Sequence, residues 1–154
     1  MPRDIALYVH VPFCRHKCPY CSFVSYDCRE ADIPSYLSAL KKELARRAGG
    51  ERVRSIYFGG GTPSLLSVKY LGDLISAISS LFNVDEADEI TIEANPATIN
   101  GAYLTAIREL GVNRLSLGVQ SLNDRELALL GRIHTAAEAR DAVQQAQGSG
   151  IDNL

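Results

Sequence analysis

The chain has 154 residues, of which 46% are hydrophobic and 22% charged, as is ordinary for a soluble globular domain with a sizeable core. Its 16 Lys and Arg against 18 Asp and Glu residues give a net charge of -2, which favours neither nucleic acid nor an anionic membrane as a direct partner. The first residues fit neither a secretory signal nor a membrane span. We therefore expect a cytoplasmic protein that reaches a membrane only through a partner.

Short apolar runs alternate with stretches of helical periodicity along the chain. Four strands are predicted, at residues 5–11, 53–58, 90–94 and 114–119. Five helices are predicted, at residues 33–47, 68–82, 100–110, 124–130 and 135–148. Asn100 is a predicted N-cap, Gly111 a predicted C-terminal cap, and Thr135 with Glu138 forms a capping-box pattern. Regular structure in the loop after the first strand is disfavoured by Pro12 and Pro19.

This order of elements is typical of a parallel α/β sheet covered by helices. It allows either a β/α barrel segment or a doubly wound sheet. Residues 150–154 have the pattern of an entry to a fifth strand, and an open sheet that ended on an unpaired edge would be an aggregation hazard. We expect one domain over residues 1–154, with four βα units and the start of a fifth strand, as the N-terminal portion of a longer chain.

All four cysteines lie between Cys14 and Cys28, unlike the spread pattern of a disulfide-stapled secreted domain. Cys14, Cys18 and Cys21 follow the pattern C-x3-C-x2-C directly after the first strand. Three thiolates at this spacing suit three irons of a [4Fe-4S] cluster and leave the fourth iron open to a small chelating ligand. A structural zinc site completed by Cys28 or His16 is the alternative, although a second C-x2-C knuckle is missing.

The ends of the later strands carry further ligand chemistry, at the edge where function collects in a β/α barrel. Residues 59–61 are glycines followed by Thr62, which allow either a close backbone approach to a ligand or a tight turn. Glu93 ends the third strand, where a hydroxyl or ammonium group can be bound. Gln120 ends the fourth strand with both a donor and an acceptor, and the Arg132 guanidinium suits a carboxylate.

The cysteine loop resembles that of the radical S-adenosylmethionine (SAM) enzymes, in which the open iron holds SAM and an aromatic residue, here Tyr20, precedes the last cysteine. Over the whole chain, the motifs Tyr8-Val-His-Val-Pro-Phe-Cys14, Phe58-Gly-Gly-Gly-Thr-Pro63, Glu93-Ala-Asn-Pro96 and Gly118-Val-Gln-Ser121 resemble the coproporphyrinogen-III-oxidase-like branch. The resemblance implies the N-terminal part of a partial β/α (TIM-like) barrel with outer helices. It implies cluster ligation by Cys14, Cys18 and Cys21, and SAM contacts from Tyr8, Tyr20, Gly60, Gly61, Thr62, Glu93, Gln120 and Arg132.

Two subgroups of this branch compete. The oxygen-independent oxidase decarboxylates propionate side chains of coproporphyrinogen III and has a further cysteine two residues after the third, where this chain has Phe23. The oxidase also has an N-terminal arm before its first strand, whereas the first strand predicted here begins near Met1. Both departures resemble the HemW subgroup of haem chaperones, which we prefer, with the oxidase as the alternative.

The resemblance implies a [4Fe-4S] cluster and SAM as cofactors, with haem as cargo or a porphyrinogen as substrate. It also implies an electron donor such as a flavodoxin or ferredoxin, and proteins that receive haem. Enzymatic activity stays open, because a chaperone uses the same cluster and SAM site without decarboxylation. Either His10 or His134 could be an axial haem ligand. His10 precedes the cysteine loop and is expected rather to support it, and His134, near a helix start, fits a polar surface residue equally well, so neither is assigned as a haem ligand.

Overall fold

A computed structural model describes residues 3–154, without the side chains of residues 85–88. The strands are β1 (Asp4–Val11), β2 (Phe13–Cys14), β3 (Tyr26–Asp27), β4 (Arg52–Gly60), β5 (Asn83–Ala94) and β6 (Arg114–Leu117). The helices are α1 (Ile33–Arg47), α2 (Val68–Leu81), α3 (Gly101–Glu109), α4 (Asp124–Leu129) and α5 (Ala136–Gly148). Single 3-10 turns occupy Glu30–Asp32, Pro63–Leu65 and Pro96–Thr98. No helix in this described part of the chain has the length and apolar character needed to cross a membrane.

The main sheet is parallel, and its strands follow one another in chain order as β1-β4-β5-β6. After α5 the chain returns beside β6, where the Leu115 N–H donates to the Asn153 carbonyl (2.9 Å) in a parallel bridge. A doubly wound sheet reverses its strand order at a switch point, whereas a β/α barrel adds each strand next to the previous one. The observed order therefore confirms the barrel segment among the two predicted architectures.

The hydrophobic core lies between the sheet and the helices. Alternate strand residues face the helices and are almost fully buried, namely Val9, Val11, Ile56, Phe58, Ile92 and Leu115. The helices contribute the apolar residues of their predicted stripes, among them Leu37, Leu44, Leu71, Leu74, Ile78, Leu104 and Ile107. The intervening strand residues, including Tyr57, Glu93 and Ser116, point to the opposite face and are only partly buried. That polar face carries the candidate site.

The predicted helix caps are present. The Asn100 side chain accepts from the Tyr103 N–H (2.9 Å), and Gly111 adopts a φ of 96° just after α3. Thr135 accepts from the Glu138 N–H, while the Glu138 carboxylate accepts from the Thr135 N–H (2.7 Å), which completes the capping box. These local bonds place α3 and α5 where the sequence predicts them.

Three elements differ from the prediction. Strand β6 ends at Leu117 rather than at residue 119, so Gln120 lies in the segment after the strand. Strand β5 begins at Asn83 rather than at residue 90. The prediction missed its first half because that stretch is acidic and lacks the apolar alternation that marks a strand. The proline-containing loop is not wholly irregular, since β2 and β3 pair in parallel. Pro12 lacks an N–H but keeps its carbonyl, which accepts from the Tyr26 N–H (2.8 Å) beside this short pair.

Candidate functional site

A cavity of about 310 Å³ opens at the C-terminal edge of the sheet, between the cysteine loop and the ends of β4, β5 and β6. Its volume falls within the range of small-molecule sites. Among the predicted site residues, those lining it are Tyr20, Cys21, Gly60, Gly61, Thr62, Glu93, Gln120 and Arg132. Of the three others, Cys14 and Cys18 are buried at its margin and Tyr8 stands apart. The fold thus brings together residues separated by more than a hundred positions in the sequence.

The three motif cysteines are free thiols, and two of them accept hydrogen bonds from other segments. The Thr62 hydroxyl donates to Cys14 Sγ (3.6 Å), and Arg132 Nη1 donates to Cys18 Sγ (3.5 Å). Hydrogen bonds to the sulfurs are a feature of iron–sulfur sites, where they tune the cluster. Cys28 is exposed, with a φ of 54°, and lies outside this arrangement.

The cysteine loop packs directly against the glycine turn, residues 59–61, at the end of β4. A Cβ on Gly61 would lie 2.7 Å from the Phe13 carbonyl oxygen and 3.0 Å from Cys14 Sγ. Gly60 has a φ of 119°, and a Cβ there would lie 2.7 Å from the His10 ring. The backbone closes this contact, since the Gly61 N–H donates to the Val11 carbonyl (2.9 Å) and the residue 62 N–H donates to the Phe13 carbonyl (2.7 Å). Glycine is therefore required here by close packing of one backbone on another.

Glu93 is held at the cavity by two donors from β4. The Tyr57 hydroxyl donates to Glu93 Oε1 (2.7 Å), and the Gly60 N–H donates to Glu93 Oε2 (3.1 Å). Burial and the Glu93 carboxylate raise the pKa of Tyr57, so its hydroxyl keeps its proton and acts as a donor. The sequence reasoning missed Tyr57, although strand alternation puts it on the same face as Glu93.

Tyr8 lies one strand away from the cavity. Its ring stacks on Tyr57 with centroids 6.0 Å apart, and its hydroxyl lies 3.2 Å from His10 Nδ1. His10 Nε2 lies 2.8 Å from the Val24 carbonyl, which only accepts, so Nε2 carries the proton and Nδ1 accepts from Tyr8. His10 thereby contacts the cysteine loop, in agreement with the expected support role.

The segment after β6 forms an unusual turn at Gln120. This residue has a φ of 69°, and the Ser121 N–H donates to the Val119 carbonyl (2.9 Å) across it, which is a γ-turn with positive φ. Such turns are rare and strained for a residue with a side chain. Strain of this kind is found where surrounding structure holds a side chain at a functional site.

Arg132 joins this turn to the cysteine loop. One guanidinium nitrogen, Nη2, donates to the Gly118 carbonyl, and Nη1 lies within 3.4 Å of the Tyr20 hydroxyl as well as near Cys18. Its Nε is buried with no hydrogen-bond partner among the described residues. A half-buried guanidinium that lines a cavity and has one unsatisfied nitrogen is suited to an anionic group of a ligand.

A surface position was one of the two alternatives for His134, and it is wrong, because only 4% of its area is exposed. The connection between α4 and α5 passes beneath the end of β6 and carries the ring inward. There Nε2 lies 3.1 Å from the Val119 carbonyl. Burial and the nearby Arg132 lower the pKa of His134, so the ring is neutral.

The described residues contain no group of three or more His, Cys, Asp or Glu side chains placed to hold a single metal ion. A [4Fe-4S] cluster distributes its thiolates over separate irons. The hydrogen-bonded thiols, the adjacent cavity and the half-buried Arg132 fit a cluster with a bound anionic ligand.

Comparison with known proteins gives a consistent picture. The sequence model of the radical SAM superfamily matches residues 8–154. The chain is 40% identical, over 165 aligned residues, to the haem chaperone HemW of Haemophilus influenzae, covering 100% of this chain and 43% of that protein. It is 43% identical to the bovine mitochondrial radical S-adenosyl methionine domain-containing protein 1, covering 92% of this chain and 33% of the relative.

A solved structure is also similar. The coproporphyrinogen III oxidase HemN from Escherichia coli, described as a radical SAM enzyme, superposes with a TM-score of 0.91 at 32% identity. The alignment covers 98% of this chain and 36% of that one. The chain thus spans between a third and a half of the length of the proteins it matches.

Proposed function

This chain belongs to the radical SAM superfamily, in the branch of the HemN-like proteins, and we propose that it is the cluster- and SAM-binding part of a haem chaperone. The observation that carries the proposal is the cavity that joins the cysteine loop to Glu93, Gln120 and Arg132. It combines a site for three-thiolate cluster ligation with groups that complement an amino acid and a ribose.

In the proposed site, Cys14, Cys18 and Cys21 hold a [4Fe-4S] cluster through their thiolates. When bound, the cluster supplies an open iron for SAM and, once reduced, an electron for its cleavage. Thr62 and Arg132 donate to two of the sulfurs and so stabilise their negative charge. The buried position of Cys14 and Cys18 limits the access of water and oxidants to the iron.

The remaining cavity residues serve SAM. Arg132 provides a cation for its carboxylate, and Glu93 provides an acceptor for an ammonium or ribose hydroxyl group. Gln120 offers both a donor and an acceptor, while Tyr20 offers an aromatic face and a hydroxyl at the same wall. Tyr8 joins this set only through Tyr57, on which its ring stacks.

Haem delivery is favoured over decarboxylation by Phe23 and by the similarity to haem chaperones. Phe23 lines the cavity at the position of the oxidase's additional cysteine, and 63% of its surface is exposed. The relatives named as haem chaperones include those of Haemophilus influenzae and Escherichia coli, at 40% and 39% identity. The oxidase is the second candidate, because its fold superposes with a TM-score of 0.91.

The proposal includes three kinds of partner. An electron donor such as a flavodoxin or ferredoxin reduces the cluster, haem is the cargo, and haem-binding proteins receive it. Reduced thiols and a reduced donor suit a reducing compartment such as the cytoplasm.

The first experiment is anaerobic reconstitution with iron and sulfide and one-electron reduction of the cluster with dithionite, followed by electron paramagnetic resonance with and without SAM. We expect a [4Fe-4S] signal that changes when SAM binds. A protein that holds one zinc ion and gives no such signal would contradict the superfamily-level site. The Cys28→Ala variant is the control, because its thiol is exposed and outside the cavity.

The second experiment uses the whole protein and separates the two functions. We expect stable haem binding and transfer, with no carbon dioxide released from coproporphyrinogen III. Stoichiometric carbon dioxide release would establish the oxidase instead.

A further inference from the structure

We propose that His134 is a positioning residue for SAM binding, which it supports by holding the strained turn that carries Gln120. This inference rests on the proposed function of the cavity and assigns a role to a buried group outside its lining. Two side chains from one connection, Arg132 and His134, reach the consecutive carbonyls of Gly118 and Val119.

The hydrogen-bond chemistry defines what His134 does. The Val119 carbonyl only accepts, so Nε2 of the neutral ring carries the proton and donates to it. The other nitrogen, Nδ1, is buried and has no partner in the described part of the chain. A buried histidine whose one satisfied atom binds a single backbone carbonyl is placed to fix that carbonyl.

That carbonyl belongs to the γ-turn at Gln120. The same Val119 oxygen accepts from the Ser121 N–H (2.9 Å), so it receives two donors, one from the turn itself and one from the connection between α4 and α5. Without the imidazole, the turn loses one of the two bonds that oppose its backbone strain. The peptide can then relax toward an ordinary φ, which would swing the Gln120 side chain away from Gly118 and out of its place in the cavity wall.

A matched pair of variants tests this role in the whole protein with its cluster reconstituted. His134→Gln keeps an N–H donor at the reach of Nε2, whereas His134→Met has a similar length and no donor. We expect the Gln variant to bind SAM within about twofold of wild type and the Met variant to bind it about tenfold more weakly. Iron content is expected to be equal in all three proteins, because the hydrogen bond of His134 in the described part of the chain goes to the Val119 carbonyl and not to a cysteine.

The role predicts coupling to Gln120. In a Gln120→Ala background, which already lacks the positioned side chain, His134→Met should weaken SAM binding by no more than about twofold. An additive tenfold loss in that background, or equal affinities for the Met and Gln variants, would overturn the inference.

Misfolding of a variant and failure of the proposed function can each be distinguished from failure of this inference. If wild type itself takes up no cluster or no SAM, the proposed function fails, and the variants are not needed to show it. If the Met variant alone fails to load iron, hydrogen exchange of the cluster-free proteins decides. Peptides covering residues 118–121 should then exchange faster in the His134→Met variant than in the His134→Gln variant, while peptides covering residues 101–109 exchange equally in both. Equal exchange of both regions in the two variants overturns the inference.

Discussion

Replacement of Gly61 by alanine is a stringent test of how the cysteine loop is seated. The new Cβ would lie 2.7 Å from the Phe13 carbonyl oxygen and 3.0 Å from Cys14 Sγ. Ordinary contact needs about 3.4 Å or more, so the Phe13 carbonyl must retreat by roughly 0.7 Å. This retreat stretches its hydrogen bond from the Thr62 N–H, which is 2.7 Å long in the native arrangement.

The expected cost combines overpacking with a weakened hydrogen bond, about 2–3 kcal/mol in the free energy of unfolding. For a chain of this length that lowers the Tm by roughly 5–10 °C. Displacement of Cys14 should also lower the iron content after anaerobic reconstitution. Thermal unfolding and iron analysis measure both effects.

The matched control is Gly148→Ala at the end of α5, where a Cβ meets nothing within 4 Å. Alanine should be neutral or stabilise that helix slightly, by less than about 1 kcal/mol. If Gly61→Ala keeps the wild-type Tm and iron content, the close seating of the loop on the glycine turn is refuted.

Three further predictions concern the cavity. Cys21→Ala should abolish the cluster absorption and iron content, whereas Cys28→Ala should leave both unchanged; equal losses would contradict the assigned ligands. Arg132→Lys should keep the cluster but weaken SAM binding about tenfold in titrations, because a lysine lacks the fork that reaches several acceptors at once; an unchanged Kd would remove Arg132 from the site. Tyr57→Phe removes a donor to Glu93 and should weaken SAM binding about threefold. Because the Tyr57 pKa is raised, wild-type affinity should show no loss from Tyr57 ionisation between about pH 7 and about pH 9, and a fall there that Tyr57→Phe abolishes would contradict this role.

Sequence patterns predicted the helices and the alternation of strands with helices well, because their signals are local, whereas the order of the strands in the sheet stayed open between two architectures. Asn100 and Thr135 cap α3 and α5 through bonds to residues three positions away, which the sequence displays directly. The first half of β5 escaped prediction because it is rich in acidic residues and lacks the apolar alternation of a strand, although Asn83 and Val84 pair with β4.

The residues of the candidate site divide in the same way, into those with a local sequence signal and those that depend on tertiary packing. Cysteine spacing and the polar residues at strand ends predicted most of the cavity wall, because parallel strands end at one edge. The positive φ of Gln120 and the burial of His134 had no such signal, since both depend on how the connection after α4 packs under β6. Tyr57 was recoverable from strand alternation, whereas its bond to Glu93 depends on the register of β4 and β5.

The strand order also relates to the order in which the parts of the site are synthesised. Each strand of the main sheet pairs with the one made just before it, so the sheet can grow as the chain leaves the ribosome. The glycine turn against which the cysteine loop packs is complete once Gly61 has been synthesised, but Gln120 and Arg132 follow some sixty to seventy residues later. All three motif cysteines are therefore synthesised well before the residues that form the far wall of the cavity. Until Arg132 has been added, Cys18 lacks the hydrogen bond that it accepts from this residue in the folded chain.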